Sequence, residues 1–374
     1  MNRIGAVSRL LLACALGLAF DRAFAVQREC VGYFTIDMPG QFEYALFPSN
    51  TLGEPHFSGA LSSWGVYGGL RLKDGTEGKL AITQRATDAD LQSLLAARNA
   101  EPQQKKNELL ELVKNLDDDA THAVDPKGED RKLMAKLAEQ VVFYERVPGR
   151  EAFIWPATDR ENVFALLNDH ILIGQSLVQG NPQARVDDFL AQFKQRDAYA
   201  LPPNGDACVP FFRVVGDHTL ESIGVGMRLI DRPDIVVTLQ EDDAATGAED
   251  PKKVIIDSTQ PGRTFVGSVE AKPLDRIRPT HALRIDGREG LGAFAQVRRE
   301  GALANTADKD LDWAFIGYVP GQAGSKPGQS YDITLKVERF GRFARQPMTE
   351  VEFRTLVEKL ASGIRRRDGL STHY

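Results

Sequence analysis

The residues of this chain best suited to covalent chemistry are its three cysteines, Cys14, Cys30 and Cys208. A catalytic thiol needs a pKa lowered by a nearby histidine, a cation or a helix start. No histidine stands close to Cys30 or Cys208 in sequence. If the chain reaches an oxidising compartment, the simpler chemistry for this pair is a disulfide. It would close a loop of 178 residues. Chain-entropy scaling values such a loop at on the order of 5 kcal/mol, less any strain.

Other chemistry is thinly signalled. His56, His122, His170, His218, His281 and His373 are scattered, without the short His/Cys/carboxylate spacings of zinc sites. Asp117-Asp118-Asp119 lacks the alternating ligands and the glycine of a calcium loop. It suits a solvated helix exit, or a docking surface for a basic partner. Gly174-Gln175-Ser176-Leu177-Val178 approaches a nucleophile elbow but lacks the second glycine. In Gly324-Ser325-Lys326-Pro327-Gly328 a proline follows the lysine, where a phosphate loop has Ser or Thr. Gly224-Val225-Gly226 lies in a strand pattern and predicts a bulge rather than a dinucleotide turn. With 52 acidic residues, carboxylate pairs single out nothing. No catalytic residue, metal ligand or cofactor is assigned, and the balance favours a protein that works by binding.

The N terminus sets the compartment. Arg3 and Arg9 precede an apolar run from Leu10 to Phe20, and Ala23-Phe24-Ala25 offers small residues for cleavage. This is the pattern of a signal peptide cut after Ala25. The run is shorter than the roughly 20 apolar residues of a membrane span. An uncleaved anchor is one alternative. Lipidation at Cys14 through Leu11-Leu12-Ala13-Cys14 is another, although only Leu10 to Ala13 would then follow Arg9. Removing the leader takes the net charge from −6 to about −8. An acidic chain with no dominant basic block is a poor nucleic-acid binder. The expectation is a periplasmic protein, monomeric when free, with no membrane span.

About 349 mature residues exceed one typical core, so two domains are expected. The boundary falls in the Pro/Gly-rich stretch from Ala200 to Asp206, giving residues 26–203 and 204–374. Each half opens with a cysteine and an apolar run. Strand patterns occupy 32–37, 42–47, 64–72 and 79–83. Asp88 is placed to cap a helix carrying Leu91, Leu94 and Leu95. Pro102 suits the start of a second helix carrying Leu109, Leu110, Leu112, Val113 and Leu116, with Arg98 to Asn107 as a solvated joint. A third helix spans 130–142, and strands follow at 152–155, 163–167 and 171–175. Asn181-Pro182 starts a helix with Val186, Phe189, Leu190 and Phe193. Strands at 209–215, 221–230, 235–240, 264–270, 293–299, 313–319 and 331–337 make the second half. A capping box at Thr349 and Glu352 opens a last helix with Phe353, Leu356, Val357, Leu360 and Ile364. Arg365 to Arg367 would then sit at the negative end of its dipole, as a helix-end device or a partner contact. The fold class is α+β, each domain a mainly antiparallel sheet packed with helices.

One stretch carries a family likeness. Cys30-Val31-Gly32-Tyr33-Phe34-Thr35-Ile36-Asp37-Met38-Pro39, followed by Glu43-Tyr44-Ala45-Leu46, resembles the opening of immunity proteins against type VI secretion lipase effectors of the class-four phospholipase group. Cys208 with its apolar run, Leu283-Arg284-Ile285-Asp286-Gly287-Arg288-Glu289-Gly290, and Leu356 to Gly369 are similar to later parts of that family. The chain departs from it at Tyr33, where a basic residue is commoner. The resemblance implies a claw-like, two-domain periplasmic protein without catalytic residues. It also implies that the partner is a cognate lipase effector, whose lid region is held closed. No interface residue carries over. Two other readings stay open. A periplasmic scaffold or carbohydrate-binding module would need Trp64, Trp155 or Trp313 as an exposed platform. An envelope hydrolase would need a deep pocket with convergent titratable groups.

Overall fold

A computed structural model describes residues 26–45, 66–71, 77–116, 128–155, 161–176, 181–203, 205–216, 220–244, 249–259, 271–273, 280–299, 311–322, 325 and 329–367. The leader with Cys14, Trp64, Asp117 to Asp119, the 264–270 strand, most of Gly324 to Gly328, four of the histidines (His56, His122, His218, His373) and Gly369 lie outside them.

The described residues begin with an antiparallel hairpin, Gln27–Val31 against Phe34–Met38. Its turn needs Gly32, which has φ +55°. Cys30, Val31, Tyr33, Phe34, Ile36 and Met38 are all buried, so the hairpin is a central plug rather than a surface ribbon. Four distant segments close on it. Gly32 and Cys208 exchange backbone hydrogen bonds of 2.7 and 2.8 Å. The Glu241 carboxylate accepts the Tyr33 N–H through both oxygens at 3.1 Å. The Tyr33 ring lies 5.2 Å from that of Tyr331. Arg365–Arg366 adds a short strand beside Phe34 and Thr35, and Arg367 donates its N–H to the Tyr33 carbonyl at 3.0 Å.

Among the described residues, 14 strands form one antiparallel sheet that shares its main core with this plug. In order it places Ala271–Pro273, Arg288–Arg299, Leu311–Val319, Tyr331–Arg339, Ile235–Asp243 and Leu220–Leu229, then Val66–Arg71, Glu77–Arg85, His170–Ser176, Glu161–Leu167, Ala152–Trp155 and Glu145–Arg146. His281–Ile285 and Phe42–Tyr44 pair beside the first path. Strands from either side of residue 203 thus meet edge to edge, with Val66 opposite Val225. Side chains alternate with period two, as a sheet covered on both faces requires. Leu80, Ile82, Ile154, Val163, Ala165 and Leu172 join the main core. The intervening Ala81, Phe153, Phe164, Ile171 and Ile173 form a second cluster on the other face.

Five α-helices are present among the described residues: α1 Asp88–Asn115, α2 Glu129–Glu139, α3 Pro182–Ala191, α4 Pro251–Thr259 and α5 Glu350–Gly363. Asn181 caps α3 ahead of Pro182, and Thr349 and Glu352 form the expected capping box of α5. Helix α5 buries Phe353, Val357 and Leu360. The α+β class therefore holds. Four local expectations change. Arg98 to Asn107 is helical, so α1 is continuous with Pro102 inside it, and its cap is Thr87 rather than Asp88. The 209–215 strand is a hairpin of Ala207–Val209 and Phe212–Val214, broken where Phe211 takes φ +63°. Arg365 to Arg367 are not a helix-end device, because Ile364 is already extended and the arginines run along the plug. Gly224 and Gly226 sit in regular pairing, and the irregularity lies between Leu220 and Ser222. Helix α4, with Ile255 on Ala293, Ile316 and Tyr318, had no expectation in the sequence.

Cys30 and Cys208 are bonded as a disulfide, Cα to Cα 5.7 Å. Replacing both by serine is expected to lower the unfolding free energy by about 2–5 kcal/mol, read by urea denaturation, with no change in the folded circular dichroism spectrum.

Burial raises three sheet carboxylates: Glu241 from 4.5 to about 8, Asp242 from 3.8 to about 6 and Glu338 from 4.5 to about 7. The folded chain then holds these protons more tightly than the unfolded one. Their contribution is full below the ordinary carboxylate range and is lost as pH rises through about 6 to 8. His170, lowered by burial, works in the opposite sense, losing stability as pH falls below the ordinary imidazole range. Wild type and Glu241→Gln are therefore compared directly. Thermal denaturation between about pH 5 and pH 9 should show the variant gaining relative to wild type at the alkaline end. Parallel curves would remove Glu241 as the source.

Candidate binding surface

Helix α1 begins with a reciprocal cap. Thr87 Oγ1 accepts the Asp90 N–H at 3.3 Å, and the Asp90 carboxylate accepts the Thr87 N–H at 2.7 Å. Its first turns bury Leu91 and Leu94 against the second core cluster, with Leu95 packed beside them. No later residue of α1 is buried. At 28 residues the helix is about 42 Å long, so most of it runs past the sheet. Pro102 removes the donor to the Arg98 carbonyl, a loss that costs about 3 kcal/mol in an isolated helix. Strong helix formers on both sides and packing against α2 carry the helix through.

Leu109, Val113 and Leu116 are half-buried on one face of α1. Leu110 and Leu112 are exposed, as are Leu133 and Leu137 on α2 and Val142 just after it. Five of the twelve large apolar side chains exposed among the described residues therefore lie on this arm, which marks it as the candidate surface.

A groove of about 1060 Å³ runs along the arm. Ala97, Pro102 and Leu109 form one wall, and Leu137, Val141 and Val142 the other. Tyr144 and Trp155 line it too, stacked at 5.8 Å between ring centroids. Tyr144 also meets Phe153 and Phe164 edge-on, each at 5.7 Å. The backbone at Tyr144 is clamped by Asn99, which donates to its carbonyl at 3.0 Å and accepts its N–H at 2.8 Å. Arg98 lies over the Phe164 ring at 5.7 Å, and burial lowers its pKa against the opposing pull of Tyr144 and Glu101. Lys105 and Glu101 complete the charged lining, and Lys106 sits 5.5 Å over the neighbouring Phe143 ring. Among the described lining residues there is no His, Cys, Ser or Asp.

A smaller recess of about 350 Å³ lies under Leu201-Pro202-Pro203. Its Arg196 is committed to structure. The guanidinium pairs with buried Glu29, donates to Tyr44 Oη at 3.1 Å, and donates to the carbonyls of Val209 and Phe212 at 3.2 Å.

Among the residues flagged by sequence, Cys30 and Cys208 come together, and no partner-binding residue was assigned. His170 is structural. Its Nδ1 lies 3.0 Å from the Thr83 carbonyl, and its ring stacks on Phe211 at 4.1 Å. His281 rests edge-on against Phe294. Gly174 is a packing glycine, since a β-carbon there would collide with the Phe189 ring. Trp313 is core, against Phe353, whereas Trp155 lines the groove. No group of three or more His, Cys, Asp or Glu side chains gathers into a metal site among the described residues. Sequence reasoning missed the groove because it dissolved the middle of α1 into a loop. The available signal was five apolar residues between Leu109 and Leu116, more than a single buried stripe uses.

Asn99→Ala should loosen the groove while sparing the sheet. The expected outcome is faster hydrogen exchange at the Tyr144 amide, with a stability loss of about 1–2 kcal/mol. Unchanged exchange at that amide would show that the clamp is idle.

No family model and no curated protein matches the sequence. Among solved structures, the chain is similar to the type VI secretion immunity protein TplEi from Pseudomonas aeruginosa complexed with an "L" peptide. The TM-score is 0.46 at 14% identity, over 92% of this chain and 99% of that one. The apo form of TplEi gives 0.44 at 13% identity, over 92% and 98%. A chain of the Tle4–Tli4 complex gives 0.46 at 12% identity, over 92% and 98%.

Proposed function

We propose that this chain is a periplasmic immunity protein. It binds a type VI secretion phospholipase effector and inhibits it by occupying the effector's surface, with the lid region held closed. The observation that carries the reading is the α1–α2 arm, a broad groove walled by Pro102, Leu109, Leu137, Val141 and Val142 beside Tyr144 and Trp155. The stretch from Cys30 to Pro39 adds the family resemblance, and a leader ending at Ala25 would deliver the chain to the compartment where such a lipase acts.

The physics asks for no catalysis. A lipase that must expose an apolar mouth to lipid is blocked by any partner that binds its closed state more tightly than its open one, to the extent of that difference. The acidic chain, at net charge −6 overall, would steer a basic effector at a rate that falls with salt.

The test is a neighbour-encoded phospholipase directed to the periplasm of a host cell, with and without this protein. Protection of the cells and co-purification of the two proteins are the expected results. Lysis regardless of this chain, with no complex recovered, would refute the proposal.

A further inference from the structure

The groove on the α1–α2 arm has a shape and charge that specify more than a generic contact. At about 1060 Å³ it lies at or above the upper end of ordinary small-molecule sites, about 300–1,000 Å³, which favours a piece of polypeptide over a metabolite. Pro102 and Leu109 on α1 and Leu137, Val141 and Val142 at the end of α2 give it apolar surface on both sides, interspersed on α1 with Arg98, Glu101, Gln104 and Lys105. Apolar surface contributed from two sides is what an amphipathic helix fills when it docks through anchors one turn apart. The aromatic pair Tyr144 and Trp155 offers wide, stiff surfaces, and such rings carry much of the binding energy in comparable clefts.

Charge supplies the second constraint. The described lining carries two cations, Arg98 and Lys105, against one carboxylate, Glu101, and Lys106 stands beside it. The groove is thus locally positive on a chain whose net charge is −6. A partner carboxylate at the edge of an apolar stripe would be attracted, and a cation there repelled. Such rim charges govern orientation and encounter rate more than affinity.

We propose that this groove is the docking site of the protein partner, and that it receives an amphipathic helix bearing a carboxylate beside its apolar face. The identity of that partner as the secreted phospholipase rests on the function proposed above; the chemistry of the groove is independent of it. Leu137 and Val142 are both exposed, so substituting either leaves the core untouched. Val351 is exposed on α5, off the arm and outside the groove lining, which makes it the control.

The experiment titrates the full, disulfide-bonded chain with the neighbour-encoded phospholipase at several salt concentrations, following Trp emission and calorimetric heat. Leu137→Asp and Val142→Asp should each weaken binding about tenfold or more, while Val351→Asp binds like wild type. Lys105→Glu should weaken it about threefold or more and flatten the salt dependence. The emission change on binding should disappear in Trp155→Phe. If the groove variants bind like wild type, or Val351→Asp is equally impaired, the groove is not the docking site although the immunity reading survives. An undiminished salt dependence in Lys105→Glu overturns the partner carboxylate. Failure of the wild-type chain to bind the lipase overturns both the immunity reading and this inference.

Discussion

The fold depends on a position where no side chain fits. A β-carbon on Gly32 would fall on the Glu241 carboxylate, and φ there is +55°. The tight turn aims the Tyr33 N–H into the interior, where an unsatisfied backbone donor would cost several kcal/mol. Glu241 supplies the acceptor from a strand some two hundred residues away. Burial makes its charged form unfavourable, lifting the pKa to about 8 despite the opposing Tyr33 hydrogen bond and the nearby Arg367 and Arg366. A single contact thus fixes where the N-terminal hairpin enters, and the same turn brings Gly32 into register with Cys208.

A second buried polar group works beside it. Glu29 accepts from the Cys30 N–H at 2.9 Å and the Tyr199 N–H at 3.1 Å, and pairs with Arg196. Arg196 in turn holds carbonyls on the Ala207–Val209 and Phe212–Val214 hairpin. Removing one member of a buried pair leaves the other charged and dry, at a cost of about 3–5 kcal/mol, whereas an apolar replacement of both can be neutral. What the pair contributes is therefore placement. The hairpin strand, the segment after α3 and the Cys208 hairpin share hydrogen-bond partners, so a slip in one would strand polar groups in all three. The disulfide closes a junction that backbone and side-chain hydrogen bonds already define.

How much of this the sequence disclosed depended on how local each cause was. The Asn181-Pro182 start, the Thr349 and Glu352 box and the strand at Ala152–Trp155 rest on residues within a few positions of one another, and each appears where it was read. The disulfide was legible from compartment and count alone. The break at Phe211 was not, because a bulky residue at φ +63° is held there by its stack on His170 and by Tyr44. Nor were Arg365 to Arg367 legible at the plug, since a basic triplet after a helix has a sufficient local explanation. The wrong inference in each case was a local account of a long-range contact.

The groove failed for a related reason, and that reason bears on what the arm is for. Pro102 argues against a continuous helix on every local criterion, yet α1 passes through it and the proline becomes part of the groove wall. A chain selected only for stability would gain by losing this proline and the exposed leucines, and by burying more of α1 than Leu91 and Leu94. At the plug the same sequence satisfies the buried backbone groups of Gly32, Tyr33 and Cys208. Segments built for recognition are drawn from the less stable parts of a structure, with apolar surface left uncovered. The contrast between a densely bonded junction and a loosely covered arm is what assigns them different work: the junction holds the molecule in one arrangement, and the arm holds something else.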